Sequence, residues 1–192
     1  MVGKERELIL FTRSFPYGYG EEFIYEEILQ LSHYFKFIYI IHLEVNEYKR
    51  KLPHNVIVKK IDVQIYKNLK VTDISLFIGM VFNNIFYFLK NGFLNNVSYL
   101  KKCFLKSYAL NNWIEENIKT EASDLLFYTY WFDEWATILS ILSKKRLIKE
   151  YVSKVHGFDL YEFRRKSNKI PFRNFQLRYV SKLFFISKDG RD

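Results

Sequence analysis

Residues 124–130 read Asp-Leu-Leu-Phe-Tyr-Thr-Tyr. A strand with one wet face alternates apolar and polar residues, and this run does not. It is therefore predicted to be a strand covered on both sides, as in a parallel sheet. Working outward, Asn96 to Ile118 reads as a helix before it. Asp133 reads as the cap of a helix reaching about Lys145, and two further apolar runs follow at Tyr151–Val155 and Lys182–Ser187. On the amino-terminal side, Lys36–Leu43 (KFIYIIHL) and Asn55–Ile61 (NVIVKKI) are β-branched and aromatic runs of strand length, separated by the Pro53-His54 turn. Leu8–Phe11 is a short buried strand that ends in a long loop, Thr12 to Gly20. A helix follows, with Glu21 and Glu22 at its start, where acidic side chains suit the positive end of the helix dipole.

Apolar strands alternating with helices define an α/β domain, a doubly wound and mostly parallel sheet with helices on both faces. The 192 residues read as one domain, and no 20 to 50 residue period suggests a repeat array. In this architecture ligands gather beyond the carboxyl ends of the strands. The loops after Phe11, Tyr130, Val155 and Ser187 are therefore the candidate functional segments.

Composition narrows the function classes. The single cysteine, Cys103, excludes an intrachain disulfide and a cysteine zinc cluster, and a reducing cytoplasm fits best. The first ten residues lack the layout of a signal peptide. The longest apolar stretch, Ile74–Leu89, is interrupted by Gly79, Asn83 and Asn84 and falls short of a membrane span. It is read within a helix from Asp73 to Lys90, capped by Asp73 and broken by Asn91-Gly92. Burial in the core is favoured over contact with a membrane. The net charge of +9 comes entirely from residues 144–192, which hold 14 Lys/Arg against 5 Asp/Glu. That asymmetry points to an anionic partner near this end, whether phosphate groups or an acidic membrane surface, with a solvated basic face as the alternative. Nucleic acid is ranked low, because no recognised binding module accompanies the basic and aromatic residues of Phe163–Lys166.

Gly18-x-Gly20 after the first strand, with Glu44 after the second, has part of a dinucleotide fingerprint. The third glycine is Phe23, and five residues separate the apparent strand end from Gly18. A stand-alone dinucleotide-binding enzyme stays open on those grounds, as does a non-catalytic module that binds a membrane or a partner. No nucleophile elbow, phosphate-binding Gly-Lys loop, Asp-x-Asp pair or metal-ligand spacing occurs, and no cofactor is expected. His156 directly follows a strand and is joined by Asp159, an imidazole and a carboxylate at the mouth of the sheet.

Five segments in order, Phe15–Phe23 (FPYGYGEEF), Tyr128–Trp131 (YTYW), Lys154–Tyr161 (KVHGFDLY), Ile170–Arg173 (IPFR) and Ile186–Gly190 (ISKDG), resemble the amino-terminal domain of bacterial family 4 glycosyltransferases with the GT-B fold. The resemblance covers essentially the whole chain. It implies a Rossmann-like acceptor-side domain of a retaining, metal-independent enzyme that moves a sugar from a nucleotide-sugar donor to a surface polysaccharide or lipopolysaccharide. The acceptor would be a glycan or a lipid-linked glycan. By the same resemblance His156 is the catalytic candidate, Gly18 and Gly20 face the donor phosphates, and Asp159 and Arg173 shape the acceptor side. Tyr130, in the aromatic cluster at the end of the fourth strand, is a candidate to stack on a sugar, with core filling as the alternative. Lys154 stands where many relatives carry Arg. The donor-binding second domain is absent from these residues, so the chain alone is expected to be inactive, working in the cytoplasm or at the inner face of the membrane.

Overall fold

The computed structural model describes residues 5–43, 50–61, 66–121, 123–161, 164 and 171–188. Six strands form one sheet: β1 (Glu7–Thr12), β2 (Ile38–His42), β3 (Val56–Lys59), β4 (Leu125–Thr129), β5 (Tyr151–Val155) and β6 (Lys182–Phe185). Every pairing is parallel and the order is β3-β2-β1-β4-β5-β6. The chain is a doubly wound α/β domain of the Rossmann type, with the strand order reversing between β1 and β4. DLLFYTY supplies β4 at the centre, in register with β1 from Glu7↔Leu125 to Phe11↔Thr129.

Successive side chains of β1 serve opposite layers, as the two-residue strand period requires. Leu8 and Leu10 pack on α1 (Ile24–Leu31) through Ile24 and Ile28, with Ile38, Ile40 and Tyr128 beside them. Ile9 and Phe11 face the opposite layer with Phe127 and Tyr151. That layer is built from α2 (Ile74–Asn83), α3 (Ile85–Lys90), α4 (Phe93–Asn117), α5 (Glu134–Lys144) and α7 (Arg173–Tyr179); the short α6 (Gly157–Leu160) follows β5. α5 carries eight consecutive buried residues, Trp135 to Leu142, because it lies between the sheet, α4 and α7.

Several local expectations are corrected. The stretch read as one helix from Asp73 to Lys90 is two helices, interrupted at Asn84, whose side chain donates to the Met80 carbonyl at 2.8 Å. Nor is it a core helix, since Met80 is the only buried residue of α2 and Phe88 the only one of α3. Asp73 precedes α2 but makes no side-chain cap; its buried carboxylate accepts from Nζ of Lys145, just past α5, at 2.9 Å instead. Asp133 likewise makes no side-chain cap at α5. The helix expected from Glu21 begins at Ile24, and α4 starts at Phe93 rather than Asn96. Cys103 is fully buried, and its desolvation pushes the thiol well above its ordinary pKa, so it is packing rather than chemistry.

Candidate functional site

The β1–β4 junction opens a crevice at the carboxyl ends of both strands, and the loops after them meet there. The loop after β1 is held from below by Glu21. This buried carboxylate accepts the Ser14 N–H at 2.7 Å, the Phe15 N–H at 2.6 Å, the Arg13 N–H at 3.3 Å and the Ser14 hydroxyl at 3.0 Å. Trp131 Nε1, from the loop after β4, donates to the same group. One carboxylate therefore ties both crevice loops together by charge-assisted bonds. Glu21 was expected to serve the helix dipole, and its work is instead to organise a loop.

Gly18 and Gly20 both hold positive φ, 64° and 104°, which their side-chain-free backbones allow without strain. The Gly18 carbonyl accepts Arg50 Nη1 at 2.6 Å, and the Gly20 N–H donates to Glu22 Oε2 at 2.8 Å. Glu22 is held below the usual carboxylate range by its own backbone N–H and that of Gly20, with Arg50 adding to the effect. A phosphate approaching Gly20 N–H would first have to displace this carboxylate. Glu44, the acid considered for a ribose, lies outside the described residues, as do Ile170 and Asp189-Gly190.

His156 lies at the end of β5 inside an aromatic cluster. Its ring centroid is 4.3 Å from Trp131, 5.3 Å from Tyr130 and 6.3 Å from Phe23. The side chain is 14% exposed, and among the described residues Nδ1 has no hydrogen-bond partner; Asp159 Oδ2 is 3.7 Å away. Asp159 is buried and accepts the backbone N–H of His156 at 3.3 Å and of Phe132 at 3.4 Å, fixing the strand end against the loop after β4. Arg173 stands behind it. Its guanidinium donates to the Asp159 carbonyl at 2.6 Å and to Gln176 Oε1 at 2.9 Å, and lies 4.0 Å from the Phe132 ring centroid. The structure thus gathers His156, Tyr130 and Asp159, with Arg173 buttressing Asp159. The glycine loop joins the cluster through the Glu21–Trp131 bond and through Phe23, whose ring lies 5.7 Å from Tyr130 and 6.3 Å from His156.

Tyr130 is tied to the α1 side. Lys154 Nζ donates to Tyr130 Oη at 3.1 Å and to Glu27 Oε2 at 2.5 Å, and Tyr128 donates to Glu27 Oε1 at 2.8 Å. Burial opposes the charge on Lys154, but its bonds to Glu27 and Tyr130 outweigh that and raise its pKa. Burial, then the Glu27 charge, pushes the Tyr128 phenol far above its ordinary range, so it stays a donor. Glu27, Tyr128 and Lys154 border an apolar groove of about 350 Å³ that also includes Leu8, Leu126, Val152 and Phe184.

The residue that the sequence reading missed is Asp133. Its Oδ1 is buried without a partner. Burial, then the neighbouring Asp159 carboxylate, raises its pKa to about 7 against the pull of Arg13. It opens on a polar cleft of about 340 Å³ whose other walls include Arg13, Asn91, Asn95, Asn96 and Tyr99. An unmet buried carboxylate oxygen in a polar cleft suits a hydroxyl donor. Its position four residues after the end of a central strand was the available signal; reading it as a helix cap hid it.

Among the described residues no group of three His, Cys, Asp or Glu side chains gathers as a metal site. No family model and no curated protein sequence matches the chain. What fold and geometry define is a class: a Rossmann-type α/β domain with an aromatic cluster around His156 and a polar cleft walled by Arg13 and Asp133 beyond the ends of its central strands.

Proposed function

We propose that this chain is the acceptor-side domain of a retaining, metal-independent glycosyltransferase acting on a surface polysaccharide or lipopolysaccharide. The observation that carries the reading is His156, flanked by Tyr130 and Trp131 and backed by Asp159, at the carboxyl end of β5. Aromatic rings beside buried hydrogen-bonding groups suit a sugar, which presents apolar C–H faces and hydroxyl edges. In this reading His156 holds the reacting sugar by a hydrogen bond and Asp159 and Arg173 keep the imidazole in place. Asp133 accepts a hydroxyl of the acceptor glycan. The nucleotide of the donor belongs to a second domain, and the work is done in the cytoplasm, at the membrane face that presents a lipid-linked acceptor.

Deletion of the gene, followed by complementation, tests this. Loss or shortening of the surface glycan on a gel, restored by the wild-type gene but not by His156→Ala expressed at equal level, is the expected result. An unchanged glycan profile in the deletion strain overturns the reading.

A further inference from the structure

α2 and α3 carry two apolar faces, and the fold uses one. Inward, Phe77 meets Phe104 edge-on at 5.6 Å, Met80 is buried, and Phe88 meets Phe172 at 5.8 Å. Outward, Ile74, Ile78, Phe82, Phe86 and Leu89 follow one another at helical spacing, and Phe93 and Leu94 extend the row into α4. All seven are exposed; Phe82 is 69%, Phe86 84%, Leu89 66% and Leu94 79% accessible. Scattered apolar residues on a surface are ordinary, whereas a continuous row of large ones marks an interaction surface.

Charge identifies the partner. From Ile74 to Ile114 the sequence contains Lys90, Lys101, Lys102 and Lys106 and no Asp or Glu. Lys106 pairs with Glu134, while Lys90 is exposed at the end of α3 beside Leu89 and Lys102 is exposed further along α4. Large apolar side chains fringed by lysines, with acids excluded, match the acyl boundary and the phosphates of an anionic bilayer. No helix among the described residues is long and apolar enough to cross a membrane, so the row fits a helix pair lying in the interface.

We propose that the outward row Ile74–Leu94 of α2, α3 and the start of α4 docks the protein on an anionic lipid surface. The basic carboxyl-terminal quarter is not needed for this contact. The same corner turns Tyr87, Asn91, Asn95 and Asn96 into the Asp133 cleft, so docking sets the mouth of that cleft at the lipid boundary. The docking itself stands apart from the transferase reading; only the identity of a lipid-linked ligand in the cleft rests on that reading.

The test is flotation of the 192-residue chain with vesicles of phosphatidylcholine containing about a third phosphatidylglycerol. The wild type is expected to float with them and far less with phosphatidylcholine alone. Since burying one Phe or Leu is worth roughly tenfold in partitioning, Phe86→Ser is expected to weaken binding about tenfold and Phe86→Ser with Leu94→Ser about a hundredfold. Both positions are exposed, so unchanged circular dichroism and melting are expected. Ile186→Ser, exposed beyond β6 and outside the row, is expected to bind as the wild type does. Failure of the wild type to float overturns the proposal, as does equal flotation of the double variant. So does a wild-type dimer in solution that the double variant splits without any vesicle binding, which would make the row a contact between copies. Glycan loss in the deletion strain without flotation removes the docking surface alone; flotation with an unchanged glycan profile removes the transferase alone.

Discussion

Asp133 is a carboxylate that the fold would rather keep protonated. Its pKa of about 7 lies above the ordinary carboxylate value, so the folded state holds a proton that the unfolded chain has released. Stability therefore falls as pH rises from about 4 to about 7, and the full penalty persists above that. Asp133→Asn removes the penalty. It is expected to raise the melting temperature at pH 8 and to leave it nearly unchanged near pH 4; equal shifts at both values would mean that Asp133 is ionised in the fold without cost. Glu21 is satisfied where Asp133 is not, because its carboxylate accepts three backbone N–H groups, a hydroxyl and an indole. Glu21→Ala strands buried donors at Ser14 and Phe15, and a loss of roughly 3 kcal/mol in urea unfolding is expected. A blue or red shift of Trp131 fluorescence should accompany it. Of these two residues the sequence showed only the acidic character. A carboxylate that clamps a loop and one that faces a cleft look alike until the chain folds, since both roles depend on residues distant in sequence, such as Trp131 for Glu21 and Asn91 for Asp133.

At the scale of elements, α5 and α7 meet through a buried polar joint. Gln176 Nε2 donates to the Asp133 carbonyl and to Thr137 Oγ1, both at 2.8 Å, while its Oε1 accepts from Arg173. Tyr151 on β5 places its hydroxyl 2.8 Å from Ser140 on α5 and donates to the Gln176 carbonyl at 3.3 Å. The joint fixes the start of α5 and hence the cleft wall at Asp133. Gln176→Leu leaves the Asp133 carbonyl and the Thr137 hydroxyl without that donor. About 2 kcal/mol of stability should be lost, read as a lower urea midpoint with an unchanged slope; a neutral effect would mean that water replaces the amide. Strand positions were legible at this scale, because β2 and β4 are largely apolar runs and β1 has an apolar centre, while β5 shows the two-residue alternation of a strand. Helix ends were not. The Asp73 and Asp133 side chains were drawn away by Lys145 and by the cleft, and Phe172 enters α7 with φ of 61°, a left-handed conformation that no local pattern announces. Nor did periodicity reveal that α2 and α3 have two apolar faces with only one used.

The whole molecule is a sheet whose two layers are unequal. β1 and β4 lie at its centre, paired on both edges and covered by α1 on one side and α4 and α5 on the other. β3 and β6 lie at the edges. β6 alternates exposed and half-buried residues, with Phe184 bordering the apolar groove and Ile186 following in solvent. Because a strand opens locally when few buried contacts and few paired edges oppose it, amide exchange should be graded across the sheet. The amides of Ile9, Leu10 and Phe127 are expected to exchange only by global unfolding, sharing one free energy and one urea slope. Those of Leu183 and Phe184 are expected to exchange faster, with almost no urea dependence. Uniform protection across all six strands would mean that the exposed face of β4–β6 is covered in solution. Repeating the exchange with anionic vesicles present then separates the surfaces: slowing along α2 and α3 with β6 unchanged locates the lipid at the outward row, whereas slowing at β6 would place it on the open sheet face.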